Sequence, residues 1–279
     1  MTEIKKTSIA TRPFLYIILS IYAVSIFYPI FLMFLTSLKE NKEIFTNPYG
    51  LPHVFTLDGY IKLLKISNYG IYFRNSIIVT VVSISLILVI SSLAAYVLAK
   101  YRFSGKRFIY FYFIAGLIIP IKLGTIGLLQ IMIRIHLFDN IMSLIIIYIA
   151  MGIPFGVFIL TDFIRMVPEE LSNSARIDGC SEPKIFYKIV VPLLRPALSA
   201  VAIINFIPIW NDFWFPLVFI RSDNMKTVPL ATALLYGQYE TNFGLIFAVL
   251  SMASLPVIVF YLILSRQFIS GLTSGALKG

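Results

Sequence analysis

The chain has 279 residues, of which 59% are apolar and only 13% are charged, and its mean hydropathy is +0.90. A soluble domain carries about 25% charged residues, so this composition excludes a soluble globular protein and predicts an integral membrane protein. The net charge of +10 does not indicate nucleic-acid binding, because the basic residues lie between apolar runs and form no patch. The single cysteine, Cys180, excludes an internal disulfide and a cysteine-based metal cluster.

Six apolar segments follow one another along the chain. Four of them contain no charged residue and exceed the roughly 18 residues that predict a membrane-spanning helix. The other two are interrupted: one meets Lys122, and its spanning part is expected to end near Pro120, and the other contains Asp212. The pattern predicts an all-α polytopic protein with one domain over residues 1–279. The predicted spans are 13–38, 75–99, 108–130, 141–161, 196–220 and 242–265.

The basic residues predict the orientation of these spans. With the N-terminus inside, 14 of the 23 lysine and arginine residues fall on the inner side, and the short loop 100–107 holds four of them. Loops on the cytoplasmic side of a membrane are enriched in Lys and Arg. Both termini are therefore expected in the cytoplasm.

The longest inner segment, residues 165–195, has the pattern of two short helices. Pro168 begins a helix, and the two glutamates that follow it are favourable at the positive end of the helix dipole. Gly179 ends this helix, because glycine accepts the left-handed conformation of a C-terminal cap. A second helix begins near Glu182 and ends at Pro192. A solvated connector between spans is the alternative, and the pattern alone does not decide between the two.

Polar residues in the fifth predicted span indicate a candidate substrate path. Asn205 and Asp212 are seven residues apart and share a face if the span is a regular helix. Trp210 and Trp214 form a neighbouring stripe, and Asn211 is included in the same candidate path. Carboxylate, amide and indole groups suit a sugar, which needs hydroxyl partners and a flat apolar surface. The alternative is that both tryptophans anchor the helix at the membrane interface.

The residues that carry enzymatic chemistry are missing from the sequence. It contains no G-x-x-x-x-G-K-[ST] phosphate loop, so the chain is not expected to bind ATP. His53 and His136 stand alone, without metal-ligand spacing. We therefore expect no enzyme activity, no metal and no cofactor in this chain, and any chemistry that its function needs must come from partners.

The 165–195 loop resembles the "EAA" loop of ABC-importer permeases, which runs Glu-Ala-Ala, three residues, Gly, nine residues, Ile-x-Leu-Pro. Residues 173–179 read Asn-Ser-Ala-Arg-Ile-Asp-Gly, and Ile-Val-Val-Pro follows at 189–192. Asn173 stands where the family has its first glutamate. The resemblance implies that the loop transmits ATPase motion through Glu170, Asn173, Ala175, Asp178, Gly179, Ile189 and Pro192.

Three further segments extend the resemblance over nearly the whole chain. They are Ser-Leu-Ala-Ala-Tyr at 92–96, Trp-Asn-Asp-Phe at 210–213 and the glycine-rich tail at 271–279. Together they resemble the smaller permease subunit of maltose-type oligosaccharide importers, a type I ABC-importer permease. This resemblance implies that Gly271, Gly275 and Lys278 reach toward the ATPase.

The resemblance also implies a bacterial cell membrane and a set of partners. These are a second permease subunit in a heterodimer, two ATPase subunits that bind ATP and Mg²⁺, and an extracellular sugar-binding protein. A secondary transporter is an alternative, but it would show inverted repeats and broken helices with ion-coupling residues, and no repeat relates the two halves here. An ABC permease for a non-sugar solute is the other alternative.

Overall fold

The computed structural model describes residues 11–66, 68–238 and 242–276. All regular secondary structure in these ranges is helical, as the sequence predicts. The helices are α1 (Thr11–Thr36), α2 (Asn41–Thr46), α3 (Asp58–Ile66), α4 (Tyr69–Lys100), α5 (Lys106–Ile118), α6 (Thr125–Arg134), α7 (Ile141–Arg165), α8 (Glu169–Ile177), α9 (Glu182–Ile185), α10 (Val191–Leu193), α11 (Arg195–Trp210), α12 (Trp214–Phe219), α13 (Val228–Gln238) and α14 (Phe243–Ala276), with 3-10 turns at Ile121–Gly124 and Asp223–Met225 and a π-helical turn at Phe186–Val190.

The chain forms two compact units. One comprises Met1–Ser67 and Leu234–Ser254, and the other comprises Asn68–Ala233 and Leu255–Gly279. The prediction of a single permease domain over residues 1–279 stays a prediction. The two units are described separately below.

Four helices of the described residues are long and apolar enough to cross a membrane. These segments are Pro13–Thr36, Tyr69–Lys100, Ile141–Arg165 and Phe243–Ile263. Two bent helix pairs are also long and apolar enough when the two helices of each pair are taken together, so the number of spans rises to six if each pair is one span. This agrees with a polytopic all-α fold.

Both bent pairs coincide with the two predicted spans that are interrupted in the sequence, and neither forms one regular helix. The predicted span 108–130 bends by 83° between Ile118 and Ile121, because Pro120 has no N–H for helical bonding and keeps Ile119 extended. The predicted span 196–220 begins after a 74° bend at Leu194 and is interrupted again after Trp210.

In the first unit, α1 carries an apolar segment that is entirely exposed in the isolated chain. An apolar surface of this size needs lipid or another subunit to cover it. The loop after α1 is held by Lys39, whose side chain is only 2% exposed. Its Nζ donates to the carbonyls of Asn47, at 2.6 Å, and Pro48, at 3.2 Å, so the buried cation is bound by backbone oxygens.

The second unit is built on close packing of α4, α7 and α11. Ile87 of α4, Leu160 of α7 and Val201 of α11 are completely buried. Two glycines four residues apart on α7 allow this approach. A Cβ on Gly156 would meet the side chain of Ser91, with the Ser91 Cβ at 2.7 Å, and one on Gly152 would lie 2.6 Å from Oδ1 of Asn205.

One carboxylate fastens the 3-10 turn Asp223–Met225 to the start of α4. Asp223 accepts hydrogen bonds from Nζ of Lys226 at 2.9 Å, Nδ2 of Asn68 at 3.0 Å and the hydroxyl of Tyr72 at 2.8 Å. These donors, Lys226 first, lower the pKa of Asp223 to about 2. The carboxylate is therefore ionised at neutral pH.

Candidate functional sites

The 165–195 loop contains the predicted helix–turn–helix. Helix α8 ends in a Schellman cap: the amide of Cys180 donates to the carbonyl of Ala175 at 2.9 Å, and that of Gly179 donates to Arg176 at 3.0 Å. Gly179 has φ +77°, the left-handed conformation that the cap requires. A Cβ at this position would meet no atom within 4 Å, so the need for glycine arises from the backbone angle and not from crowding.

The second half of the loop continues from α9 through the π-helical turn into α10. Ile185, Phe186 and Val190 are buried in the core of the second unit. At the start of the loop, Nζ of Lys100 donates to the carbonyl of Val167 at 2.7 Å and so holds it to the end of α4. This packing does not fit a loose, solvated connector.

A carboxylate inside the loop binds residues of two helices, α8 and α4, and the residue that follows α4. Glu182 accepts from Nε of Arg176 at 2.6 Å, from the hydroxyl of Tyr101 at 2.9 Å and from that of Tyr96 at 3.0 Å. The hydrogen bond from Arg176 lowers the pKa of Glu182 to about 2; partial burial opposes the shift and the two tyrosines add to it. Glu182 is therefore ionised at neutral pH.

Asn173, in the position of the family glutamate, also binds Arg176. Its Oδ1 accepts from Nη1 of Arg176 at 2.7 Å. The other predicted loop residues differ in exposure: Glu170, Asp178 and Pro192 are exposed, whereas Ala175 is buried and Ile189 is half-buried. The loop therefore presents a polar outer face and packs its apolar face inward.

The predicted shared face of Asn205 and Asp212 required a regular helix, and this condition is not met. Helix α11 ends at Trp210, and α12 begins at Trp214. Asp212 lies in the break, where it accepts from the hydroxyl of Tyr148 at 2.8 Å and from the amide of Phe215 at 3.1 Å. A carboxylate that can accept the free amides of a helix start favours a new helix over continuation of the old one.

The other candidate residues of the substrate path separate into buried and exposed groups. Asn205 is buried and donates to the carbonyl of Val201 at 2.8 Å. Trp210 is 3% exposed and packs against Phe73 and Phe206, with ring centroids 6.0 Å apart in each case. By contrast, Asn211 is exposed, and Trp214 is 43% exposed with Nε1 bonded to Thr125 at 3.0 Å.

The predicted tail residues lie at the end of α14 or beyond it. Gly271 and Gly275 are in the helix, and Lys278 lies outside the described residues. Within the described ranges, no three His, Cys, Asp or Glu side chains are grouped so as to hold a metal ion.

Comparison with known proteins decides the family. Residues 87–270, which include the whole 165–195 loop, match the family described as "Binding-protein-dependent transport system inner membrane component". The chain belongs to this family. It is therefore an inner-membrane permease component of a binding-protein-dependent transport system, and the work of such a component is translocation and not catalysis.

Curated relatives are similar to this permease over nearly its full length. A putative ABC transporter permease protein of Caldicellulosiruptor sp. is 34% identical over 96% of the chain and 98% of the relative. The arabinooligosaccharides transport system permease protein of Halalkalibacterium halodurans is 34% identical over 90% of the chain and 91% of the relative. The diacetylchitobiose uptake system permease protein NgcG of Streptomyces coelicolor is 30% identical over 94% of the chain and 87% of the relative.

A solved structure shows the same fold. It is a bacterial ABC transporter involved in the import of the acidic polysaccharide alginate, with a TM-score of 0.77, 23% identity, and coverage of 94% of this permease and 98% of that chain. This similarity confirms the ABC-permease fold that the sequence predicts.

Several residues of these sites were not identified by sequence reasoning. Glu182 was noted only as a helix start, and Arg176 as part of a motif. Neither Tyr96 nor Tyr101 was connected with the loop, which is more than 80 residues away in sequence. The close packing at Gly152 and Gly156 was also missed, although small residues four apart in an apolar helix are a signal for helix contact.

Proposed function

We propose that this permease translocates a sugar, most simply an oligosaccharide, that an extracellular binding protein delivers for ATP-driven import into the cytoplasm. The observation that carries the proposal is similarity of 30–34% over at least 90% of the chain to permeases named for arabinooligosaccharides and diacetylchitobiose. A multiple sugar-binding transport system permease of Streptococcus mutans is 32% identical over 94% of the chain. The family as a whole depends on binding proteins.

We also propose that the 165–195 loop couples the spans to a separate ATPase subunit. The loop is held to α4 at Glu182 and is packed inward at Ile185, so it can transmit a displacement. Its outward surface carries Leu171 and Ile177, the latter 87% exposed. In the proposed assembly this surface contacts one of two ATPase subunits, which bind ATP and Mg²⁺.

A second permease subunit and a tail contact complete the proposed assembly. The uncovered apolar surface of α1 supports a partner in the membrane or direct lipid contact. Gly271 and Gly275, together with Lys278, are proposed to approach the ATPase dimer, because glycine allows close backbone contact.

The proposed substrate path lies at the break between α11 and α12. Asn211 and Trp214 are exposed there, and Asp212 is half-buried, so an amide, an indole and a carboxylate are available to a sugar. Asn205 and Trp210 are buried, and their proposed role is to support the break by packing rather than to touch substrate in this conformation.

The test of the proposed function is uptake by the reconstituted complex. We expect sugar accumulation in proteoliposomes to require internal ATP, the ATPase subunits and the binding protein together. Uptake that persists without ATP in an ion gradient would identify a secondary transporter. Binding-protein-dependent uptake of a peptide or amino acid, with no sugar taken up, would identify a permease for a non-sugar solute.

Orientation is tested by labelling single cysteines in a Cys180→Ser background. With both termini in the cytoplasm, Lys184 lies inside and His53 lies outside, and both are exposed. We expect an impermeant thiol reagent to label His53→Cys on intact cells without an outer barrier, and to label Lys184→Cys only after lysis. The reverse pattern would contradict the proposed topology.

A further inference from the structure

Glu182 connects both short helices of the 165–195 loop to a spanning helix. It lies at the start of α9, its Arg176 partner belongs to α8, Tyr96 lies in α4 and Tyr101 follows α4 directly. The ring of Tyr96 also packs against Phe186 at 5.1 Å between centroids. One ionised group at the start of α9 therefore accepts hydrogen bonds both from α8 and from the end of α4.

Arg176 has a single carboxylate partner among the described residues. Its Nε lies 2.6 Å from Oε1 of Glu182, whereas its bond to Asn173 is to an uncharged amide. With no carboxylate at position 173, the charge of the guanidinium is directed to Glu182 alone. Hydrogen bonds between charged groups are stronger and shorter than neutral ones. The Arg176–Glu182 pair therefore links the end of α8 to the start of α9.

We propose that Glu182 is a positioning residue that makes the 165–195 loop and α4 move as one body; the proposal rests on the coupling function proposed above. A displacement of α8 is passed through Arg176 to Glu182 and from there to the two tyrosine hydroxyls. Without the carboxylate, the loop still packs by its apolar face and keeps the hydrogen bond from Lys100 to the carbonyl of Val167 at its start, but α8 and α9 are no longer joined to α4 by directional bonds.

The test compares sugar transported per ATP hydrolysed in reconstituted complexes. Glu182→Gln removes the charge, and the double variant Tyr96→Phe with Tyr101→Phe removes both hydroxyls from the other side. For each we expect an assembled complex that hydrolyses ATP, with transport per ATP reduced at least about fivefold, equivalent to about 1 kcal/mol. The triple variant should be no worse than Glu182→Gln, because all three changes break one network.

Glu40→Gln is the matched control, since Glu40 is an exposed glutamate outside the 165–195 loop whose side chain has no hydrogen bond or ion pair in the part of the chain that the structure describes. A transport-to-hydrolysis ratio within about twofold of the parent in the tyrosine double variant would overturn the proposal. If the Glu182→Gln complex does not assemble, the tyrosine double variant alone serves as the test. Transport and hydrolysis that fall in parallel also leave the ratio unchanged and would show a structural role only. If the parent complex takes up no sugar with its binding protein, the proposed function fails instead.

Discussion

Replacement of Gly179 by proline is expected to leave the permease in the membrane but to abolish coupled transport. Proline fixes φ near −65° and has no N–H, whereas Gly179 has φ +77° and donates to the carbonyl of Arg176. Both parts of the α8 cap are therefore lost. The angle between α8 and α9 changes, and the Arg176–Glu182 pair with it. We expect ATP hydrolysis without sugar uptake, or loss of the ATPase subunit from the purified complex.

For milder substitutions at Gly179, the loss of coupled transport should increase with the free-energy cost of the left-handed conformation for the new residue. A Cβ at Gly179 meets open space, so Gly179→Val should cost only its backbone strain of about 1–2 kcal/mol, or roughly five- to thirty-fold in a coupled equilibrium. Gly179→Asn should lose less, because asparagine tolerates this region.

The matched control for Gly179 is Gly105, which has φ +83° and equally open surroundings but precedes α5. Gly105→Val introduces the same strain outside the 165–195 loop and should retain transport. Uptake and binding-protein-stimulated ATPase activity are measured on the same preparation. If both stay within about twofold of the parent for Gly179→Pro, the coupling role of the loop is wrong.

Replacement of Gly156 by leucine is expected to prevent assembly of the second unit. The position of its Cβ is 2.7 Å from the Cβ of Ser91 and 3.5 Å from Val201, so a larger side chain forces α4 and α7 apart. Overpacking of a dense core costs about 1–3 kcal/mol, and here backbone atoms of two helices must move, so we expect about 3 kcal/mol or more. The measurements are the level of protein in the membrane and the melting temperature of the purified complex.

Three variants separate this packing effect from a general effect of replacing a helical glycine. Gly156→Ala adds one methyl group and should destabilise, and Ser91→Gly in the same chain should restore part of the loss by removing the atoms it meets. Gly127→Leu adds the same side chain on α6, where nothing lies within 4 Å of the new Cβ, and should be tolerated. Equal stability of Gly156→Leu and Gly127→Leu would contradict the close packing.

The helix–turn–helix of the 165–195 loop was predictable because all its signals are local. Pro168 and the two glutamates mark a helix start. Gly179 follows a nine-residue helix in the left-handed conformation, which glycine adopts without the penalty that a Cβ brings. The bend at Pro120 was equally local: the spanning part was expected to end there, although the predicted bounds 108–130 extend across it. By contrast, the shared face of Asn205 and Asp212 was predicted on the assumption of one regular helix through both residues. The helix instead ends at Trp210, and Asp212 accepts hydrogen bonds from the amide of Phe215 and from a hydroxyl of α7.

Composition and periodicity alone determined that this protein is an all-α membrane protein, because a chain with 13% charged residues cannot cover an apolar core in water. Family motifs then pointed to an ABC permease, and the comparisons confirm it. Only the tertiary structure decided that Glu182 joins the 165–195 loop to α4, and that Gly156 faces Ser91. Both contacts link residues that are more than 60 positions apart in the chain, and local propensity contains no information about which distant side chains a folded bundle brings together.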